Sequence, residues 1–297
     1  MKSGMLFGVV PERNNHLRSL LADMAEPAES AAVEEVECAS HFKIRAADSS
    51  GTRSSASILI DKMYTKRGYL STPLSAEKNP NRLTLVASDH HNTIGTLTIG
   101  FDAGNGLLVD DLFPDEVRKL RDDGRTVCEF TKLAMDNVVR SKRVLAALFN
   151  VAYLYAYKIK GADNLLIEVN PRHVRYYRNM LGFKVIGPKR LNTRVNAAAV
   201  LLSLDLSYVN DKIDELGGKP ELAVTNRSIY PYSFSKREES GIINRLGRAD
   251  LETSHIYRTE SFSSSHWSNG IHPAYFDSPM HAANIQGLRA TASLRAA

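Results

Sequence analysis

The sequence predicts an α/β chain with a mixed central sheet and helices on both faces, over about residues 41–206. Three observations carry this. Asn164 to Pro188, NLLIEVNPRHVRYYRNMLGFKVIGP, reads as strand, helix, glycine and strand in succession. Val127 to Met135, VCEFTKLAM, has the length and apolar content of a buried strand. Ser141 to Lys160 places Val144, Leu145, Leu148, Ala152 and Tyr155 on one helical face, and Gly161 stops it.

Within the first stretch, Leu165 to Val169 is an apolar, partly β-branched run. Asn170 can cap a helix, and Pro171 suits its first turn, where a missing N–H costs nothing. Tyr176, Tyr177, Met180 and Leu181 recur at helical spacing. Gly182 fits a left-handed cap, and Phe183 to Ile186 starts the next strand.

The other elements follow in order. His41 to Ala47 alternates through Phe42, Ile44 and Ala46 and reads as a first strand. Ser55 to Tyr69 reads as a helix through Ile58, Leu59, Ile60, Met63 and Tyr64. Leu70 to Asn81 carries Pro73 and Pro80 and is expected to loop over one side of the site. Arg82 to Ser88 and Thr93 to Phe101 form a hairpin joined at Asp89-His90-His91-Asn92. Turn chemistry explains that His pair better than a metal does, because no ligand-like cluster accompanies it. Asp110 to Asp123 is a charged helix capped by Asp115, with Leu120 inward and Gly124 at its end. Asn196 to Leu206, NAAAVLLSLDL, is a last strand that pairs with Phe183 to Ile186.

Two flanks differ in composition. In residues 1–40, LFGVV is too short for a signal-peptide core. The patch Leu17, Leu20, Leu21, Met24 is followed by many acids, so a loosely held, partly flexible arm is expected, with a docking helix as the alternative. Residues 207–297 are expected to be a largely disordered extension with short helices near Val209 to Leu216 and Glu238 to Leu246. The irregular spacing of His255, His266, His272 and His281 argues against a metal site there.

Composition excludes several classes. No run of apolar residues is long enough for a membrane span. Two cysteines, Cys38 and Cys128, make neither a disulfide framework nor a metal set, which suits the cytoplasm. The formal charge of +5 favours an acidic partner: nucleic acid, an anionic membrane or an acidic protein.

The order Asn, Tyr, Gly-Phe, carried by Asn170, the tyrosine pair and Gly182-Phe183, resembles the second half of the GNAT acyltransferase fold. NPRHVRYYRNMLGF resembles one branch more closely, the long-chain N-acyl amino acid synthases, which are related to the acyl-homoserine-lactone autoinducer synthases. The resemblance spans about Phe42 to Leu206. It implies that VCEFTKLAM is the central strand of a splayed sheet. Backbone N–H groups around Lys132, Leu133 and Ala134 would then face the reacting carbonyl. In ordinary GNATs a glycine-rich loop cradles a pyrophosphate where this chain has Asp136 to Arg143. Here Arg140, Ser141, Lys142 and Arg143 replace the glycines. Discrete cations suit a single phosphodiester, as on phosphopantetheine. The expected donor is therefore an acyl-phosphopantetheine thioester on acyl carrier protein, with no bound cofactor and no metal.

Amide formation from a thioester must take a proton from the amine, stabilise an oxyanion and release a thiolate. Glu129 and Glu168 are carboxylates in apolar strands and are the candidate bases. A structural ion pair of Glu129 with Lys132 or an arginine is the competing reading. Autoinducer synthases also place a Glu in this strand with a basic residue three positions on, and there the pair serves structure and substrate binding. Tyr177 or Tyr176 is the candidate proton donor to the thiolate. Strand alternation turns Cys128 away from Glu129, and no His is placed to activate it.

Between Val169 and Leu204 there is no acidic residue, yet Arg172, Arg175, Arg178, Lys184, Lys189, Arg190 and Arg194 are present. Ordinary surfaces mix signs. With Asn170 and Tyr176, Arg172 and Arg175 complete the expected donor-binding set, and acyl carrier protein is the favoured partner. No nucleic-acid motif appears, and a peripheral membrane contact stays open. The reading is N-acyl transfer from acyl carrier protein to the α-amino group of an amino acid. The alternatives are an autoinducer synthase that also lactonises its product, and a non-catalytic module that binds carrier protein or lipid.

Overall fold

The computed structural model describes residues 6–10, 42–75, 79–90, 92–104, 106–136, 142–248 and 250, all within one compact unit. The described strands are β1 (Leu6–Val10), β2 (Phe42–Ala46), β3 (Arg82–Asp89), β4 (Asn92–Phe101), β5 (Val127–Met135), β6 (Asn164–Val169), β7 (Lys184–Val185), β8 (Arg190–Asn192) and β9 (Ala197–Asp205). They run in the order β1-β2-β3-β4-β5-β6-β9-β7, and β8 also pairs with β9. Every pairing is antiparallel except β5 with β6.

Helix α1 (Ser50–Thr65) begins earlier than the sequence predicts, because the Ser49 hydroxyl accepts from the Thr52 amide. It buries Leu59, Ile60 and Met63 with Ala134 of β5. The charged helix expected at Asp110 to Asp123 is divided. Leu108–Asp111 is a 3₁₀ turn, and α2 spans Pro114–Asp122 with its proline in the first turn. Phe113, not Asp115, occupies the N-cap. Helix α3 (Lys142–Tyr153) continues as a π turn over Leu154–Ile159. Helix α4 (Val174–Leu181) follows the turn Pro171–His173, which the Asn170 side chain caps. Gly182 ends α4 with φ +84°, as expected of a left-handed cap.

Two sequence expectations need correction. LFGVV of the N-terminal arm is β1, paired antiparallel to β2. The stretch after Leu206 is not a loose extension as far as it is described. Helix α5 (Leu206–Leu216) and a helix over 236–248, α6, occur about where short helices were expected. Val209, Ile213, Tyr230, Phe234, Ile242 and Leu246 are buried in the same core cluster as α3 and α4. Apolar residues spread thinly over turns were enough to join an existing core. The expectations for 11–41 and 251–297 lie outside the described residues. Among the described residues no helix is long and apolar enough to cross a membrane.

Candidate active site

Strands β5 and β6 pair only at Val127 with Asn164, Cys128 with Leu165 and Glu129 with Leu166. Beyond that they part. The β4–β5 register shifts between Thr96 and Thr98, and Lys132 takes φ +52°, a strained conformation for a residue with a β-carbon. The Thr96 hydroxyl donates to the Lys132 carbonyl at 2.8 Å and holds the bulge. The β6-facing edge of β5 beyond Glu129 therefore has no strand partner.

A cavity of about 310 Å³ fills this opening, lined by 130–135 of β5, 167–169 of β6 and Asn170 just beyond it. The wall supplied by α3 and its neighbours is apolar: Leu97, Phe130, Leu145, Leu148 and Phe149. The Phe130 and Phe149 rings meet edge to face at 5.6 Å. Polar residues of the wall include Thr131, Lys132, Glu168, His173, Asn192 and Arg194. Buried without a hydrogen-bond partner are Thr131 Oγ1, Glu168 Oε1, His173 Nδ1 and Tyr176 OH. Unpaired buried polar atoms are costly, and all four of these belong to residues that line the cavity.

The two glutamates have opposite surroundings. Glu129 is 2% exposed and absent from the cavity wall. Its carboxylate accepts from Arg82 at 2.8 Å, Leu108 N at 3.1 Å and Val109 N at 3.0 Å. The structure thus supports the ion-pair reading of Glu129 rather than the base, and the partner is Arg82. Glu168 lines the cavity. Its Oε2 accepts from Arg194 at 2.5 Å and Asn192 at 2.7 Å, while Oε1 has no partner. Burial pushes its pKa up, against the opposing pull of Arg194.

The tyrosines and the histidine sit on one short segment. Tyr176 packs edge-on against Tyr177 at 5.5 Å, and Tyr177 against Phe183 at 5.8 Å. Burial raises the Tyr176 pKa to about 12, so the phenol keeps its proton. The Tyr177 phenol is raised by burial too. Of the pair, Tyr176 has the unpartnered hydroxyl. His173 is lowered to about 4 by burial and then by Arg172 and Arg67, so its ring is neutral. Arg172 Nε donates to His173 Nε2 at 3.3 Å, which assigns the ring proton to Nδ1.

The remaining predicted residues are distributed as follows. Leu133 and Ala134 lie in the cavity wall. Lys132 also lines it, but its ammonium donates to the Thr72 carbonyl at 2.7 Å and the Pro73 carbonyl at 3.2 Å. That ties down the loop after α1, which borders the cavity as expected through Leu70 and Thr72. Asn170 lines the wall while capping its turn. Arg172 stacks over the Tyr69 ring at 5.6 Å and donates to its hydroxyl at 2.8 Å. Arg175 is exposed. Lys142 and Arg143 begin α3, and Arg143 lies 5.9 Å over the Tyr232 ring. Arg140 and Ser141 lie outside the described residues. The basic stretch is partly neutralised: Arg190 pairs with Glu116, and Arg194 with Asp111 and Glu168. Cys128 points into the core and its thiol is pushed up by burial.

Thr131, His173, Asn192 and Arg194 were not foreseen as site residues. His173 stands inside the quoted motif, so its position was a usable signal. Asn192 and Arg194 lie 24 and 26 positions from Glu168, and nothing local announces that pairing. Among the described residues no group of three or more His, Cys, Asp or Glu is placed to hold a metal ion.

A model of the family described as N-acyl amino acid synthase FeeM matches residues 55–205. Among solved structures, FeeM, an N-acyl amino acid synthase from uncultured soil microbes, is 26% identical with a TM-score of 0.50. That match covers 56% of this chain and 90% of that one. A putative N-acetyltransferase from Lactobacillus plantarum is 17% identical, with a TM-score of 0.41, over 56% of this chain and 98% of that one. The acyl-homoserine-lactone synthase LasI is 11% identical, with a TM-score of 0.43, over 56% of this chain and 91% of that one. No curated protein sequence matches.

Proposed function

This chain belongs to the N-acyl amino acid synthase FeeM family, and on that premise we propose that it moves a long-chain fatty acyl group from acyl carrier protein to the α-amino group of an amino acid. It is an N-acyltransferase on a GNAT-type sheet. The observation that carries the finer reading is the half-satisfied carboxylate of Glu168 on the wall of an otherwise largely apolar cavity at the splay.

The acyl chain takes the apolar wall beside α3, where burial of its methylenes stabilises the complex by about 0.8 kcal/mol each. The acceptor amine approaches Glu168, whose free Oε1 accepts the ammonium proton directly or through one water. Arg194 and Asn192 orient that carboxylate through Oε2. The amine nitrogen attacks the thioester carbon, and the carbonyl oxygen gains the electron pair. Backbone N–H groups of 132–134, at the unpartnered edge of β5, stabilise that oxyanion. The pair then returns, the C–S bond breaks, and the second proton of the attacking nitrogen passes to the leaving sulfur, which also takes a hydrogen bond from the Tyr176 hydroxyl. Tyr177 shapes the wall beside it. The neutral His173 offers an Nδ1–H donor to the acceptor.

Carrier protein is favoured over coenzyme A because discrete cations replace the glycine-rich cradle. Arg172, Arg175, Arg178, Lys184 and Lys189 are exposed, which suits an acidic surface. A cytoplasmic setting suits Cys128, a buried free thiol. The test is incubation of the purified chain with mixed amino acids and either acyl carrier protein or coenzyme A thioesters, read by mass spectrometry. An acylated amino acid formed from the carrier thioester is expected. A lactone product would turn the reading towards autoinducer synthesis, and no acylated product from any donor would overturn it.

A further inference from the structure

Helix α4 carries Tyr176 and Tyr177 into the cavity, yet it is only 8 residues long. A helix that short has little stability of its own, so its position is set by what packs on it and what caps it. The last carbonyls of a helix have no partner within the helix. In α4 two of them are taken by the segment after α5. The Ile229 amide donates to the Met180 carbonyl at 3.2 Å, and the Tyr230 hydroxyl to the Leu181 carbonyl at 2.6 Å. Tyr230 is 2% exposed, so this last bond is shielded from water. The Tyr208 ring lies under the helix end, so closely that a β-carbon on Gly182 would come within 2.5 Å of it. Tyr208 and Tyr230 pack edge to face at 6.5 Å. The segment is in turn tied to α3, where the Asn150 side-chain oxygen accepts from the buried Phe234 amide at 2.8 Å.

Tyr208, Ile229, Tyr230 and Phe234 all lie beyond position 205, where the family match ends. They are nevertheless the groups that hold the C-terminal end of α4. We propose that Tyr230 is a positioning residue for acyl transfer, fixing through the Leu181 carbonyl the helix that presents Tyr176 to the thioester. The segment after β9 is thereby part of the catalytic unit. Loss of the bond leaves a buried carbonyl unpaired, and the helix shifts to relieve it. A displacement of about 1 Å at a reacting group can lower a rate by about 10²-fold. This proposal rests on the role given to Tyr176 above.

The test compares Tyr230→Phe, Tyr176→Phe and the double variant in the full chain, at a temperature where circular dichroism shows each folded. Tyr230→Phe keeps the ring and removes only the hydroxyl. It is expected to lower kcat about 5- to 50-fold, and by about 2-fold or less when Tyr176 is already Phe. A lowered Tm with unchanged kcat overturns the proposal. So does an equal loss in both backgrounds, because Tyr230 then acts on something other than Tyr176. Wild-type kcat in Tyr176→Phe alone removes the role of Tyr176 and overturns the positioning proposal with it. If Tyr230→Phe does not fold, Tyr208→Ala withdraws the half-exposed ring from Gly182 and is held to the same criteria.

Discussion

The two ends of the β5–β6 seam hold the same residue type and treat it in opposite ways. At the closed end Glu129 is enclosed by Arg82 and two backbone amides, and both of its oxygens are hydrogen-bonded. Gly100 opposite it leaves room for that carboxylate, since a β-carbon there would lie 2.8 Å from Glu129 Oε1. At the open end Glu168, a residue of the cavity lining, has one oxygen held by Arg194 and Asn192 and the other buried without a partner. Both are glutamates in apolar strands. The difference lies in whether the protein itself completes the hydrogen bonding. Burial pushes the Glu168 pKa up, and of the two carboxylates only that of Glu168 keeps an oxygen without a partner.

The sharpest way to break this comparison is Glu168→Gln. It keeps volume and cannot accept the proton, so kcat is expected to fall about 10²- to 10⁴-fold. The wild-type rate should fall as pH drops through the raised pKa of Glu168, because only the ionised form accepts a proton. That acid limb should vanish in the variant. A pH–rate profile that Glu168→Gln leaves unchanged would falsify the assignment of the base.

Glu129→Gln should do the converse. It leaves Arg82 without its counter-charge and sets an amide group against backbone N–H donors. The expected loss is about 2–3 kcal/mol of stability, below the fully buried case because Arg82 is partly solvated. Measured well below its Tm, kcat should stay within about 2-fold of wild type. A large loss of kcat in a fully folded sample would erase the contrast between the two ends.

A smaller effect is expected at the surface. Arg175→Glu should raise KM for the acyl carrier protein about 3- to 10-fold while kcat is retained, and the increase should shrink as salt screens the charge. Coenzyme A thioesters should not register the change. Equal effects on both donors would separate the basic face from carrier binding.

The smallest expected effect sharpens the comparison from the side of His173. Its folded pKa of about 4 lies below the unfolded value of about 6.5. The unfolded chain therefore binds this proton first as pH falls. The stability present above pH ~6.5 declines through that window and is gone near the folded pKa. His173→Asn should flatten the Tm-against-pH curve between these limits, by about 1 kcal/mol or less because the ring is only part-buried. Persistence of the full slope would assign it to other groups.

What the sequence determined by itself is local. The two strands of the Arg82 to Phe101 hairpin, the Asn170 cap, Pro171 in the first turn and the left-handed Gly182 all depend on neighbours within one turn or one strand, and each is where it was read, whereas α3 is buried nearly all round rather than on one face. Pro114 could have been read the same way, and its first-turn preference explains why the helix there starts late. The tertiary structure alone decided which glutamate is complete, because Arg82 stands 47 positions from Glu129 and Arg194 stands 26 from Glu168. It also decided that LFGVV joins the sheet edge and that Tyr230 reaches the end of α4, 49 positions back along the chain. Such contacts have no period. A carboxylate, an arginine or a tyrosine has the same local sequence whether its partner is present or absent, and only the packed chain brings a distant group within hydrogen-bond reach.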